Sequence, residues 1–176
     1  MTFATDLVEL SDYAYDRLRD RLENIDDTEF GWEPVPGSWT VRQQPDGTFA
    51  PDGNDESGSH AYAPPLTTLA WRVWHIIDFL ETDRTATWLG LEVDRVRGPV
   101  PGTARDSLDR LDDAAARWHE RLSRLDDAGL AEPVGEAGGP YGDASRNSFA
   151  LHILDELIHH GAEVALLRDL YRAQQD

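Results

Sequence analysis

The chain has 176 residues, 40% hydrophobic and 28% charged, a length and balance that suit one globular domain and exclude a fibrous or disordered chain. Its 16 basic residues against 34 acidic ones give a formal charge of −18, which speaks against a nucleic-acid partner, because binding phosphates takes a basic patch. No apolar run approaches the roughly 20 residues that span a bilayer, and Met1 to Glu9 carries Asp6 and Glu9 where a signal peptide would be basic, so a cytoplasmic protein is expected. With no cysteine there is no disulfide, no thiolate ligand and no cysteine nucleophile; any thiol chemistry has to use a thiol brought from outside.

In chain order, Leu7, Leu10, Tyr13, Ala14, Leu18, Leu22 and Ile25 recur at helical spacing and predict a first helix from about Thr5 to Asn24. Trp32 to Pro65 follows, rich in Pro, Gly, Ser and Asp, and reads as a long irregular insertion (43–63 at its heart) with a mobile excursion over Asp46 to His60. A second helix is expected after Pro64-Pro65, running to about Leu89 before Gly90. Thr103 reads as the N-cap of a third helix ending near Leu125. After a Gly-Pro-rich connector, Gly135 to Gly142, the fourth helix extends from about Ser145 to Arg172. No strand pattern stands out. The expectation is an all-α single domain over residues 1–176, a four-helix bundle whose ligand and metal sites lie between facing helices.

The fourth helix holds the most telling pattern. Turning about 100° per residue from Phe149, the residues Phe149, Ile153, Leu157, Val164, Leu167 and Tyr171 share an arc about 80° wide, with Glu156 near −20° and His160 near +20°. A carboxylate in the middle of an apolar stripe is costly unless it is paired, neutralised or bound to a metal. Glu156 and His160 stack one turn apart. That spacing suits two ligands of one ion, while Glu–His pairs four apart also arise by chance and form a hydrogen bond inside the bundle. His152 and His159 fall on the flank, near −60° to −80°. In the second helix His75 lies between Trp71 and Phe79, off the aliphatic stripe, where it either faces the cavity or packs between aromatics. Trp71, Trp74 and Trp88 do not fit one narrow stripe, which points to a second buried face, against the insertion or a partner subunit in a homodimer. Serine-hydrolase and phosphate-loop chemistry lack their motifs: there is no Gly-x-Ser-x-Gly and no Gly-x-Gly-x-x-Gly.

The run His152-Ile-Leu-Asp-Glu156-Leu-Ile-His-His160-Gly-Ala-Glu-Val-Ala-Leu-Leu-Arg168-Asp-Leu-Tyr171, with Trp71-Arg-Val-Trp-His75 and Val35-Pro-Gly-Ser-Trp39-Thr-Val-Arg42, resembles the DinB-like superfamily. Within it the likeness is closest to the metal-binding domain of mycothiol-dependent maleylpyruvate isomerase. The resemblance implies a four-helix bundle holding a divalent metal through one side chain of helix 2 and two of helix 4; carried over here, these are His75, Glu156 and His160. It further implies a metal-dependent transferase or isomerase that acts on a small molecule with a low-molecular-weight thiol such as mycothiol as cosubstrate. The isomerase itself has a further C-terminal domain, so its substrate residues are not carried over. Nitrogen and oxygen donors suit zinc first, with nickel, iron or cobalt also accommodated. Arg72 and Arg168 are candidate anion-binding groups. The alternatives are a metal-dependent hydrolase, with His152 or His159 moving protons, and a non-enzymatic bundle that binds a metal or ligand.

Overall fold

The computed structural model describes residues 2–53, 66–93 and 98–175. Four long helices form the frame: α1 (Phe3–Arg21), α3 (Leu69–Glu81), α5 (Ala104–Ser123) and α7 (Arg146–Ala173). Between them lie three short helices, α2 (Asp27–Phe30), α4 (Asp83–Thr87) and α6 (Asp127–Ala131), a hairpin of β1 (Val41–Gln43) and β2 (Phe49–Pro51), and a single-turn segment over Glu136–Tyr141. The long helices close a ring of contacts in which α7 packs on α1 and α3, and α5 packs on the same two.

Each long helix starts on a hydroxyl. The side chains of Thr2, Thr68, Thr103 and Ser145 accept from the backbone N–H of Thr5, Trp71, Asp106 and Ser148, each cap being worth about 1 kcal/mol. Thr103 and Ser145 stand where the sequence puts them. Between the helices Leu18, Leu22, Ile76, Leu111, Trp118 and Ile153 are buried. The expected apolar stripe of α1 is narrower than its periodicity: Leu7 and Leu18 are buried, whereas Leu10 and Tyr13 face out.

Two of the expected elements differ in the structure. The second helix is neither as long nor as continuous as its composition suggests. It begins at Leu69, and it stops at Thr82, whose extended backbone separates α3 from α4. Thr85 Oγ1 donates to the Phe79 carbonyl at 2.6 Å, taking an acceptor that a continuing helix would use. The insertion is also not irregular throughout. Val41 pairs with Pro51, Arg42 with Ala50 and Gln43 with Phe49, antiparallel. The Gln44-Pro45-Asp46-Gly47-Thr48 connection is a turn: Gly47 adopts φ +86°, and Asp46 accepts from the N–H and hydroxyl of Thr48. The stretch expected to be mobile is therefore ordered from Asp46 to Gly53, while Asn54 to His60 lies outside the described residues.

The hairpin is fastened to the start of α3. Trp39 N–H donates to Leu66 O at 2.9 Å, Thr68 N–H to Trp39 O at 2.8 Å, and the Trp71 indole to Asp52 O at 2.8 Å. Gly53, at φ +73°, lies under the Trp39 ring; a Cβ there would come within 2.5 Å of it. On the far side of the frame Arg168 and Glu29 are both buried and joined by two bonds, 2.6 and 2.9 Å. The same guanidinium donates to the carbonyls of Arg21 and Glu23. Arg168 is thus a strut between α7 and the chain after α1, fully engaged, and its expected availability to an anionic ligand is corrected accordingly.

Candidate metal centre

Because α3 is apolar nearly all round and packs on both α5 and α7, the His75 face meets α7 while the aliphatic face fills the core. The His75 ring stacks on Trp71 with centroids 5.1 Å apart and stands edge-on to Phe79 at 5.8 Å and to His160 at 4.7 Å. On α7, Glu156 and His160 present side chains one turn apart, with His160 Nε2 3.0 Å from Glu156 Oε2. One donor atom from each of His75, Glu156 and His160 falls within 4.8 Å of the other two. His160 is buried, and His75 and Glu156 are half-buried.

The other edge of the His160 ring sets its chemistry. Nδ1 lies 2.7 Å from Glu163 Oε2, and Arg72 Nη1 lies 3.1 Å from the same nitrogen. A carboxylate only accepts and a guanidinium only donates, so the two neighbours ask for opposite tautomers. The shorter, charge-assisted contact assigns the Nδ1 proton to Glu163. Arg72 is itself held by Glu163, Nε to Oε2 at 2.9 Å, and lies over the Trp71 ring. Burial works against the Glu163 charge, but the His160 hydrogen bond and the Arg72 guanidinium outweigh it and hold the carboxyl below its usual range.

With Nδ1–H committed to Glu163, the Nε2 lone pair points at the Glu156 carboxylate. Only a second proton or a cation between those atoms makes that arrangement attractive. The His75 ring beside them is neutral at ordinary pH: burial first, then the neighbouring His160 and Arg72, push its pKa down to about 4. Two imidazole lone pairs and one carboxylate converging from two helices are a donor set that fits a divalent cation of borderline softness.

His152 and His159 are exposed on the flank, as the helical turn predicts; His152 Nδ1 lies 4.0 Å from Glu156 Oε1 and His159 Nε2 3.4 Å from Glu163 Oε1. Glu163 is the residue the sequence reading missed. The same turn of about 100° per residue puts it near −40° from Phe149, inside the stripe, so the signal was present. The three indoles that did not fit one stripe are half-buried within the chain. Trp71 lies against Trp39 of the insertion and next to Trp74, and Trp88 donates to the Ala137 carbonyl.

Comparison with known proteins bears on this arrangement. No curated protein matches the chain. A solved structure of a conserved Enterococcus faecalis protein shares 14% identity over 97% of both chains with a TM-score of 0.56, a likeness of fold alone. None of the described helices is long and apolar enough to cross a membrane. The model of the DinB superfamily matches residues 52–164, a stretch that contains α3, α5, His75, Glu156, His160 and Glu163. That match spans more than half of the sequence and includes all of α3 and the part of α7 that bears the site, and the chain belongs to the DinB superfamily.

Proposed function

We propose that this DinB-like four-helix bundle binds one divalent cation, zinc in the first place, through His75, Glu156 and His160. It acts in the cytoplasm as a transferase or isomerase of the maleylpyruvate isomerase-like kind, with a low-molecular-weight thiol such as mycothiol as cosubstrate. The observation that carries the reading is the convergence of three donors from α3 and α7 beside a histidine whose far nitrogen is already engaged by Glu163. A cation held this way supplies Lewis acidity that makes an incoming thiol nucleophilic near neutral pH.

The protein's own groups have distinct tasks. His75 stays unprotonated and keeps its lone pair available. Glu156 offsets the positive charge, and Glu163 holds the His160 ring in one tautomer and one orientation. The Trp71 ring covers His75 and limits water on that side. The chain has no cysteine, so the thiol has to be external.

The test is metal analysis of protein purified without chelator, followed by turnover assays with a panel of thiols, mycothiol among them, and small electrophiles such as maleylpyruvate. The expected result is one metal per chain and turnover that requires the thiol and disappears in His160→Ala. Turnover independent of thiol would make the protein a hydrolase. Protein devoid of metal, and taking up none on addition, would make it a non-enzymatic bundle.

A further inference from the structure

Along α7 from the candidate centre, a separate cavity of about 310 Å³ opens between α4, the segment after α6 and the start of α7. Its volume is at the lower end of the range for small-ligand pockets, roughly 300–1,000 Å³. One wall is aromatic: Trp88 lies 5.0 Å from Phe149 and 6.1 Å from Tyr141, centroid to centroid. Phe149 is buried and the Trp88 indole is pinned by its hydrogen bond to Ala137 O, so these two rings are set before any ligand arrives, while Tyr141 is exposed at the rim. Ser148 and His152 supply the polar lining.

Arg84 sits at the edge of this wall, its guanidinium 5.4 Å above the Trp88 ring and 5.9 Å from Phe149. Among the described residues no carboxylate lies within ion-pair distance of it, in a chain with 34 acidic residues. Among the described residues the Arg84 guanidinium makes no hydrogen bond either, and the N–H edge of a guanidinium matches a carboxylate with two parallel bonds. An aromatic wall anchored by two fixed rings, a cation that pairs with no carboxylate among the described residues and two hydrogen-bonding side chains in one cavity are the recognition elements of a small aromatic acid.

We propose that this cavity binds a small aromatic carboxylate, its ring against Trp88, Phe149 and Tyr141 and its carboxylate on Arg84. His152 forms the end of the cavity nearest Glu156, so the ligand lies about one helical turn from the candidate metal centre. Binding there does not depend on a cation at His75, Glu156 and His160.

The experiment is a titration with cinnamate, up to about 10 mM, followed through the indole N–H resonance of Trp88. Cinnamyl alcohol serves as the uncharged analogue and 3-cyclohexylpropanoate as the non-aromatic one. Cinnamate is expected to bind saturably, both analogues and the Arg84→Gln variant binding at least about tenfold more weakly. His160→Ala is expected to bind cinnamate as the parent does. No saturable shift, equal affinity for either analogue, or undiminished affinity in Arg84→Gln would overturn the proposal. Loss of cinnamate binding in His160→Ala would move the ligand to the other site and overturn it too.

Discussion

Helix α7 carries two charged clusters built from the same kinds of residue, with opposite outcomes. At Arg168 the cation and the Glu29 carboxylate are both buried and joined through two bonds, with the remaining N–H edge on backbone carbonyls. Two turns earlier, His160 stands between two carboxylates, with a second imidazole alongside and one arginine shared between ring and carboxylate. The first cluster is closed: donors and acceptors match. The second has acceptors to spare at one point, and a surplus of lone pairs is what a cation requires. Burial and charge alone do not separate a strut from a binding centre; the balance of donors and acceptors does.

The largest effect should come from breaking the closed cluster. Arg168→Ala leaves the Glu29 carboxylate buried without its partner and is expected to cost about 3–5 kcal/mol, read by urea denaturation, while cation binding to the folded variant is unchanged. Next, the open cluster should make metal-free protein sensitive to mild acid. His75 has a folded pKa near 4 against 6.5 for the free side chain, so the unfolded chain takes up the proton first as pH falls. Stability is therefore full above about pH 6.5 and declines toward pH 4, by about 3 kcal/mol on this group's account. A His75→Phe variant should lose that part of the slope.

His160→Ala removes a donor and is expected to weaken zinc binding about a hundredfold or more, with little loss of helicity by circular dichroism. A change of charge alone sharpens the comparison most. Glu163→Gln keeps a hydrogen-bond acceptor for His160 Nδ1–H but removes the charge, and zinc affinity should fall about 10–100-fold; the metal-free protein should also lose some stability, less than in Arg168→Ala, because Arg72 is left without its carboxylate partner. His152→Ala or His159→Ala should leave zinc affinity within about twofold, since both side chains lie on the exposed flank.

The parts of the molecule legible in the sequence are those governed by local rules. Hydroxyl caps at Thr103 and Ser145 and the apolar spacing on α7 mark helix starts and faces directly, and they single out Glu156 and His160 before any contact is known. His75 was harder, because a helix buried on two sides has no single stripe to measure it against. The break at Thr82 depends on one hydroxyl reaching a carbonyl, and the role of Arg168 on the distant Glu29; neither leaves a trace in spacing. The hairpin hid for another reason. Its strands are only three residues long, and its Pro-Asp-Gly turn sits in a stretch whose composition reads as disorder.

How the hairpin is fastened has a consequence for engineering. Two of its bonds to the start of α3 run between backbone groups, a third ends on a backbone carbonyl, and one runs between side chains, from the Thr68 hydroxyl to that of Thr40 at 2.8 Å, so the side chains of the strands themselves take no part in these four bonds. A foreign hairpin could be grafted between Trp39 and Gly53 as a cassette if the donor keeps the bulky ring at one end, a hydroxyl next to it for Thr68, the glycine beneath the ring at the other end and a carbonyl in reach of Trp71. The indole that donates to that carbonyl lies flat on His75, so residues brought in by such a graft would arrive beside the candidate centre without any change to the helices that build it.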